Sequence, residues 1–260
     1  MRRGVGIAFG LSVVAACTSF GSSSSDVPDA GVDAEAGTPP PTPPAASDAG
    51  TDVGTPGCNV LAYDDFSDVN KSRNLWHLKG VAAVDATSGV LQLVPNEPNQ
   101  TGGIWLSLAA PIAKQLHIHA KTIIDPAAAP ADGMTFAWTD WDAGVPPLGG
   151  TGSDLALCNA DNAFDAIGVV LESYEGEIQT GEFQGAMCSH SGDAIPLYGP
   201  HDVDIRVHAN ALTIATMVDQ TPQNLGASRA IPMVAIGVIA ATGGASTRHA
   251  LDEILVEECP

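Results

Sequence analysis

A two-residue apolar period, returning again and again through the C-terminal two hundred residues, restricts the fold of this chain more than anything else in it. Leu116-His117-Ile118-His119-Ala120-Lys121-Thr122 alternates apolar and polar side chains, as does Val203-Asp204-Ile205-Arg206-Val207-His208. Successive side chains of a strand point to opposite faces, so this alternation predicts half-buried strands. Ala209-Asn210 interrupts the second run and Leu212–Val218 resumes it, which makes residues 202–219 a hairpin. Further strands are expected over 60–66, 89–94, 103–109, 133–139, 164–174, 233–241 and 254–257. The run from Met233 to Ala241 is too apolar for a sheet edge. No segment sustains a 3.6-residue apolar period with caps, and no internal repeat is found. Many short strands separated by Gly, Pro, Asn and Asp predict an all-β fold, a two-sheet antiparallel sandwich or jelly roll. Residues 58–260 suit one such domain.

The start of the chain predicts export. Arg2 and Arg3 precede a short apolar run, Gly4 to Val14, which small residues close before a cysteine (Val14-Ala15-Ala16-Cys17). A positive start, a short apolar core and small residues at the cleavage point make a secretory signal, and the run is too short to span a bilayer. The ending resembles the lipobox of bacterial lipoproteins, which implies cleavage after residue 16 and lipidation of Cys17. Thr18 in the next position implies sorting to the outer membrane or cell surface. Residues 17–57 carry Ser22-Ser23-Ser24-Ser25, two Asp-Ala-Gly units, a proline run from Pro39 to Pro44, six acidic residues and no Lys or Arg. Phe20 is their one large apolar residue besides valine, so they are expected to form a disordered, extended stalk.

Charge narrows the partners. The whole chain carries −20, and removal of residues 1–16 takes away two more positive charges. Such a chain is repelled by nucleic acid and by anionic lipid, which leaves a lipid anchor as its one expected contact with a membrane. Cys58, Cys158, Cys188 and Cys259 form an even set in an exported protein and predict two disulfides, with three pairings open. No spacing suggests zinc.

The middle of the domain carries a family resemblance. Ala131-Asp132-Gly133 leads into the apolar run Met134-Thr135-Phe136-Ala137-Trp138, then comes Pro147-Leu148-Gly149-Gly150-Thr151-Gly152, then Phe164 to Leu171 ending in Glu172-Ser173-Tyr174. Near the C-terminus, Ile236–Ala241 is followed by Thr242-Gly243-Gly244 and His249-Ala250-Leu251-Asp252. In this order the motifs resemble the legume-type, concanavalin A-like lectin domain over roughly residues 60–258. The resemblance implies a carbohydrate-binding site in which Asp132 accepts hydrogen bonds from two adjacent sugar hydroxyls and Gly149 or Gly150 donates a backbone N–H. An ionised carboxylate makes strong, directional bonds to such hydroxyls, although Asp-Gly alone is an ordinary turn signal. Trp138, Trp141 and Tyr174 are the aromatic candidates to stack on a sugar. First and last strands are neighbours in lectin-type sandwiches, so the resemblance also implies Cys58–Cys259, with Cys158–Cys188 pinning the ligand-side loops.

The sequence departs from the family at its metal loop, where the pattern is Glu-x-Asp-x-Tyr-x-Asn. Aligning Tyr174 sets Val170 at the Glu position, Glu172 at the first Asp and Gly176 at the Asn. In plant lectins the metal pair orients the sugar-binding Asp and Asn. Here no metal is expected, apart from a weakly held calcium that Glu172, Glu175 and Glu177 would collect. His117 and His119 share a strand face without a third ligand and read as solvent-facing. The Glu-x-Asp-x-x-Glu signature of related sandwich glycoside hydrolases is absent, as are Gly-x-Ser-x-Gly and His-Glu-x-x-His, so no catalytic residue is assigned. The leading expectation is a cell-envelope lipoprotein displaying a lectin-like domain. The alternatives are a non-catalytic structural or protein-interaction module with a degenerate sugar site and, third, a glycoside hydrolase.

Overall fold

The computed structural model describes residues 53–127, 131–158, 165–173, 177–184, 187–194 and 197–260, without the side chains of 177, 184, 187–194 and 224. Among the described residues, fifteen strands form two antiparallel sheets. The first sheet is built from β1 (Asn59–Asp64), β3 (Ala83–Asp85), β4 (Val90–Val94), β6 (Gln115–Ile124), β11 (Gly199–His208), β12 (Thr213–Val218), β13 (Thr221–Gly226) and β15 (His249–Cys259). Its order is β13-β12-β11-β6-β15-β4-β3, and β1 pairs with the second half of β15 where β4 leaves off. The second sheet orders β10 (Met187–Ala194), β9 (Glu177–Gln184), β8 (Asp165–Glu172), β7 (Gly133–Thr139), β14 (Ala235–Ala241), β5 (Thr101–Ser107) and β2 (His77–Gly80). All of this lies within one unit, residues 50–260. Among the described residues no helix is long and apolar enough to cross a membrane.

Burial explains both kinds of strand pattern. In β11, Val203, Ile205 and Val207 face the core between the sheets while Asp202, Asp204 and Arg206 turn outward. β7 and β14 are buried at every position because both faces of the second sheet are covered. Met134, Phe136 and Trp138 from β7 meet Ile236 and Val238 from β14 in the inter-sheet core. On the opposite face Ala137, Ala235 and Ile239 lie under the long loop after β7, through Leu155, Ala156 and Leu157. The expected non-edge position of Met233–Ala241 is therefore observed, with β14 between β7 and β5.

Three local features depart from the sequence reading. A helix, α1 (Val69–Leu75), is present; Asp68 caps it by accepting from the amides of Asn70 and Lys71 at 2.9 and 3.2 Å. Seven residues are too few to show a helical apolar period. β12 and β13 join through Asp219 and Gln220, both left-handed (φ 49° and 64°), as a two-residue hairpin turn requires. His117 is not solvent-facing. It is 5% exposed on the outer side of β6, its Nδ1 2.9 Å from Glu257 and its Nε2 2.8 Å from Asp204. Thr55 closes over this group, donating its amide and its hydroxyl to the two Glu257 oxygens at 2.7 Å each. His119, on the same face, is half-buried.

Candidate functional site

Asp132 lies immediately before β7, where three loops converge. Its carboxylate is partly exposed and accepts the amide of Gly243, from the loop after β14. A methyl group at position 243 would stand 2.9 Å from an Asp132 oxygen and 3.2 Å from the Cα of Gly152, so glycine is required for this close approach. The Gly152 amide in turn donates to the Thr242 carbonyl at 3.3 Å. Thr242 ties its loop to the segment before β5: its hydroxyl donates to the Glu97 carbonyl at 2.7 Å and accepts from the Gln100 amide at 2.9 Å. Asn99 donates to Gly243 at 2.8 Å. Desolvation raises the pKa of Asp132 above the ordinary aspartate value, and the Gly243 amide opposes that shift.

Gly149 and Gly150 sit in the curled loop after β7. Their amides are engaged inside it, Gly149 to the Ala156 carbonyl at 2.5 Å and Gly150 to that of Cys158 at 2.8 Å. At 149 a Cβ would strike the loop backbone at 2.7 Å, and at 150 it would displace the Asp154 carboxylate. The glycines that flank the Asp132 carboxylate are Gly152 and Gly243. Gly243 belongs to the Thr-Gly motif read in the sequence, but its approach to Asp132 joins residues 111 apart in the chain, which no local pattern signals.

The other expected residues separate clearly. Trp138 is 2% exposed in the inter-sheet core, which corrects its candidacy as a stacking platform; Trp141 is half-buried against the opposite apolar cluster. Val170 is fully buried, and Glu172 is half-buried at the end of β8. Glu177 pairs with Glu172 in the β8–β9 ladder. Cys17, Tyr174, Glu175, Gly176 and the Cys188 side chain lie outside the described residues. Cys58 and Cys259 are joined, with Cα atoms 4.2 Å apart, and Cys158 is also disulfide-bonded.

No protein-family model and no curated protein matches this sequence. Solved structures do. A basic winged bean lectin in complex with Tn-antigen aligns with a TM-score of 0.61 and 16% identity, over 75% of this chain and 96% of its own. The exoplasmic/lumenal domain of VIP36 in a Ca2+-bound form gives 0.57 and 14%, over 79% and 93%. Peanut lectin gives 0.57 and 16%, over 70% and 90%. The fold is that of the lectin β-sandwich. At these identities the likeness is one of fold, and the Asp132 site rests on its own geometry.

Proposed function

We propose that this chain is an exported lipoprotein that presents a carbohydrate-binding, lectin-like domain, with Asp132 as the central acceptor for saccharide hydroxyls. The observation that carries the reading is the Asp132 carboxylate itself: partly open, held by the Gly243 amide, and flanked by two glycines that leave its approach clear. A charged acceptor free of side-chain neighbours on its glycine flanks suits vicinal hydroxyls, which need a directional anion and close backbone approach. Lectin neighbours support the ligand class, since the winged bean protein is described with Tn-antigen and VIP36 with Man3GlcNAc. Gly149 or Gly150 enters this proposal through the shape it gives the loop, and Tyr174 as a stacking face. Glu172 is the carboxylate at this end of β8 that would attract a weakly held calcium.

Cys17 is proposed as the lipidated N-terminus, residues 17–57 as the stalk and 58–260 as the binding domain at the outer membrane or cell surface. A glycan array probed with the protein, beside Asp132→Ala, tests the ligand assignment. Binding that the substitution abolishes is expected; binding that persists in the variant overturns the role of Asp132, and an array with no hit favours the interaction-module alternative. Mass spectrometry of the native protein tests the anchor, which an unmodified N-terminus would overturn.

A further inference from the structure

The residues at the Asp132 site do not fit the transition-metal half of a lectin metal pair. Val170 stands at the position the family gives to a Glu ligand; it is fully buried, in the same apolar cluster as Trp105, Ala137 and Phe183, and a valine has no lone pair to offer. Among the described residues, the group of three possible ligands close enough to hold an ion is Cys58, Glu257 and Cys259, and its two thiols are joined as a disulfide.

Hydrogen bonds hold the backbone around Asp132 instead. The Ala131 amide donates to the Thr247 hydroxyl at 3.0 Å. The Ser173 hydroxyl donates to the Ala131 carbonyl, and the Ser173 amide to the Asp132 carbonyl at 2.8 Å. His249 Nε2 lies 3.2 Å from the Ser173 hydroxyl oxygen. Ala131, Ser173, Thr247 and His249 are all 1% exposed or less. A serine hydroxyl carries one proton; with that proton on the Ala131 carbonyl, its oxygen accepts from His249 Nε2–H. The imidazole is thereby fixed in its neutral Nε2–H tautomer, with a bare Nδ1 that is buried and has no partner among the described residues.

We propose that Thr247, Ser173 and His249 form a metal-independent brace that orients Asp132, in place of the metal pair of the lectins this domain resembles. His249 and Thr247 are then positioning residues, and the site keeps its shape in the presence of chelator. The proposal rests on the carbohydrate reading for its purpose, but its test does not. Amide hydrogen exchange at Ala131 and Ser173, with thermal melting, is measured in excess EDTA, in CaCl2 and in MnCl2. Equal protection and equal melting in all three are expected. Loss of protection in EDTA, restored by either metal, overturns the brace.

Variants separate the hydroxyl from bulk packing. Thr247→Val keeps the shape and removes the acceptor, so the Ala131 amide should exchange roughly tenfold faster. Thr247→Ser keeps the hydroxyl and should restore the slow rate. Equal exchange in Thr247→Val and the wild type overturns the proposal. Where Thr247→Val does not fold, Ser173→Ala, which leaves Thr247 in place, provides the same comparison at the Ala131 carbonyl side. Chelator-insensitive protection supports the brace even if no glycan is bound, so the brace and the sugar reading fail separately.

Discussion

As the proposed saccharide acceptor, Asp132 has two demands made on it that pull in opposite directions. Accepting two saccharide hydroxyls requires the carboxylate, whereas desolvation at the junction of three loops favours the acid and raises its pKa. Affinity should therefore fall on acidification at a higher pH than an exposed aspartate would give, which a binding isotherm taken across the acid range measures directly. The same conflict predicts that Asp132→Asn, which removes the desolvated charge and keeps an acceptor for Gly243, binds no saccharide yet melts no lower than the wild type.

Two of the buried histidines, His249 and His117, titrate with opposite signs. Burial lowers His249 to about 3, so the unfolded chain binds a proton that the folded chain refuses between pH 6.5 and 3. Stability is lost as pH falls through that window, by roughly 2 kcal/mol at pH 5 from this residue alone. His117 is raised, first by its hydrogen bond to Asp204, against the opposing effect of burial. Its contribution is complete below 6.5 and disappears as pH rises through the elevated folded value. Denaturant midpoints across pH should show His249→Gln with a flatter acid limb than the wild type. The cost of His117→Gln should be large in acid and shrink as pH rises through the elevated folded value. An unchanged acid limb, or a constant cost, would contradict these assignments.

At the scale of elements, legibility followed from how many faces a strand buries. β11 and β12 were readable because one face is wet, giving strict alternation, and β14 because neither face is. β13 was missed because Pro222 and Gly226 break its pattern; it is an edge strand, where a proline need not donate to the ladder. β2 and β3, of four and three residues, are too short to show any period. The outward face of β6 misled for a different reason. A polar face reads as solvated, and Thr55 and Glu257, from opposite ends of the domain, help to bury His117 beside Asp204. The candidate site was legible in Asp132, and its flanking glycines were not, since Gly152 and Gly243 meet it only through tertiary structure. Gly243→Ala tests that meeting. The added methyl would lie 2.9 Å from the Asp132 oxygen, so saccharide affinity should drop at least as much as the loss of one charged hydrogen bond, about tenfold, while the melting temperature changes little. Unaltered affinity in this variant would remove Gly243 from the site.

Across the whole molecule, the ends of the domain are fastened to one another. Asn59 pairs with Glu258 and the ladder runs inward to Asp64 and Ile254, with the Cys58–Cys259 bond at its outer end. Thr55 adds a second clasp through Glu257, immediately where the proposed stalk meets the domain. A strand that enters a sheet beside the last strand makes its ladder contacts at long range, so in the unfolded chain its return has a high entropic cost. The disulfide removes most of that cost by closing a separation of 201 residues, worth about 5 kcal/mol in the chain-entropy account. The Cys58→Ser, Cys259→Ser double variant should therefore lose about that much unfolding free energy, a large part of what a domain of this size has. Peptide mapping without reductant should recover Cys58 linked to Cys259 and Cys158 linked to Cys188. A peptide joining Cys58 to Cys158, or a double variant as stable as the wild type, would show that the clasp is formed by the β1–β15 ladder and Thr55 alone.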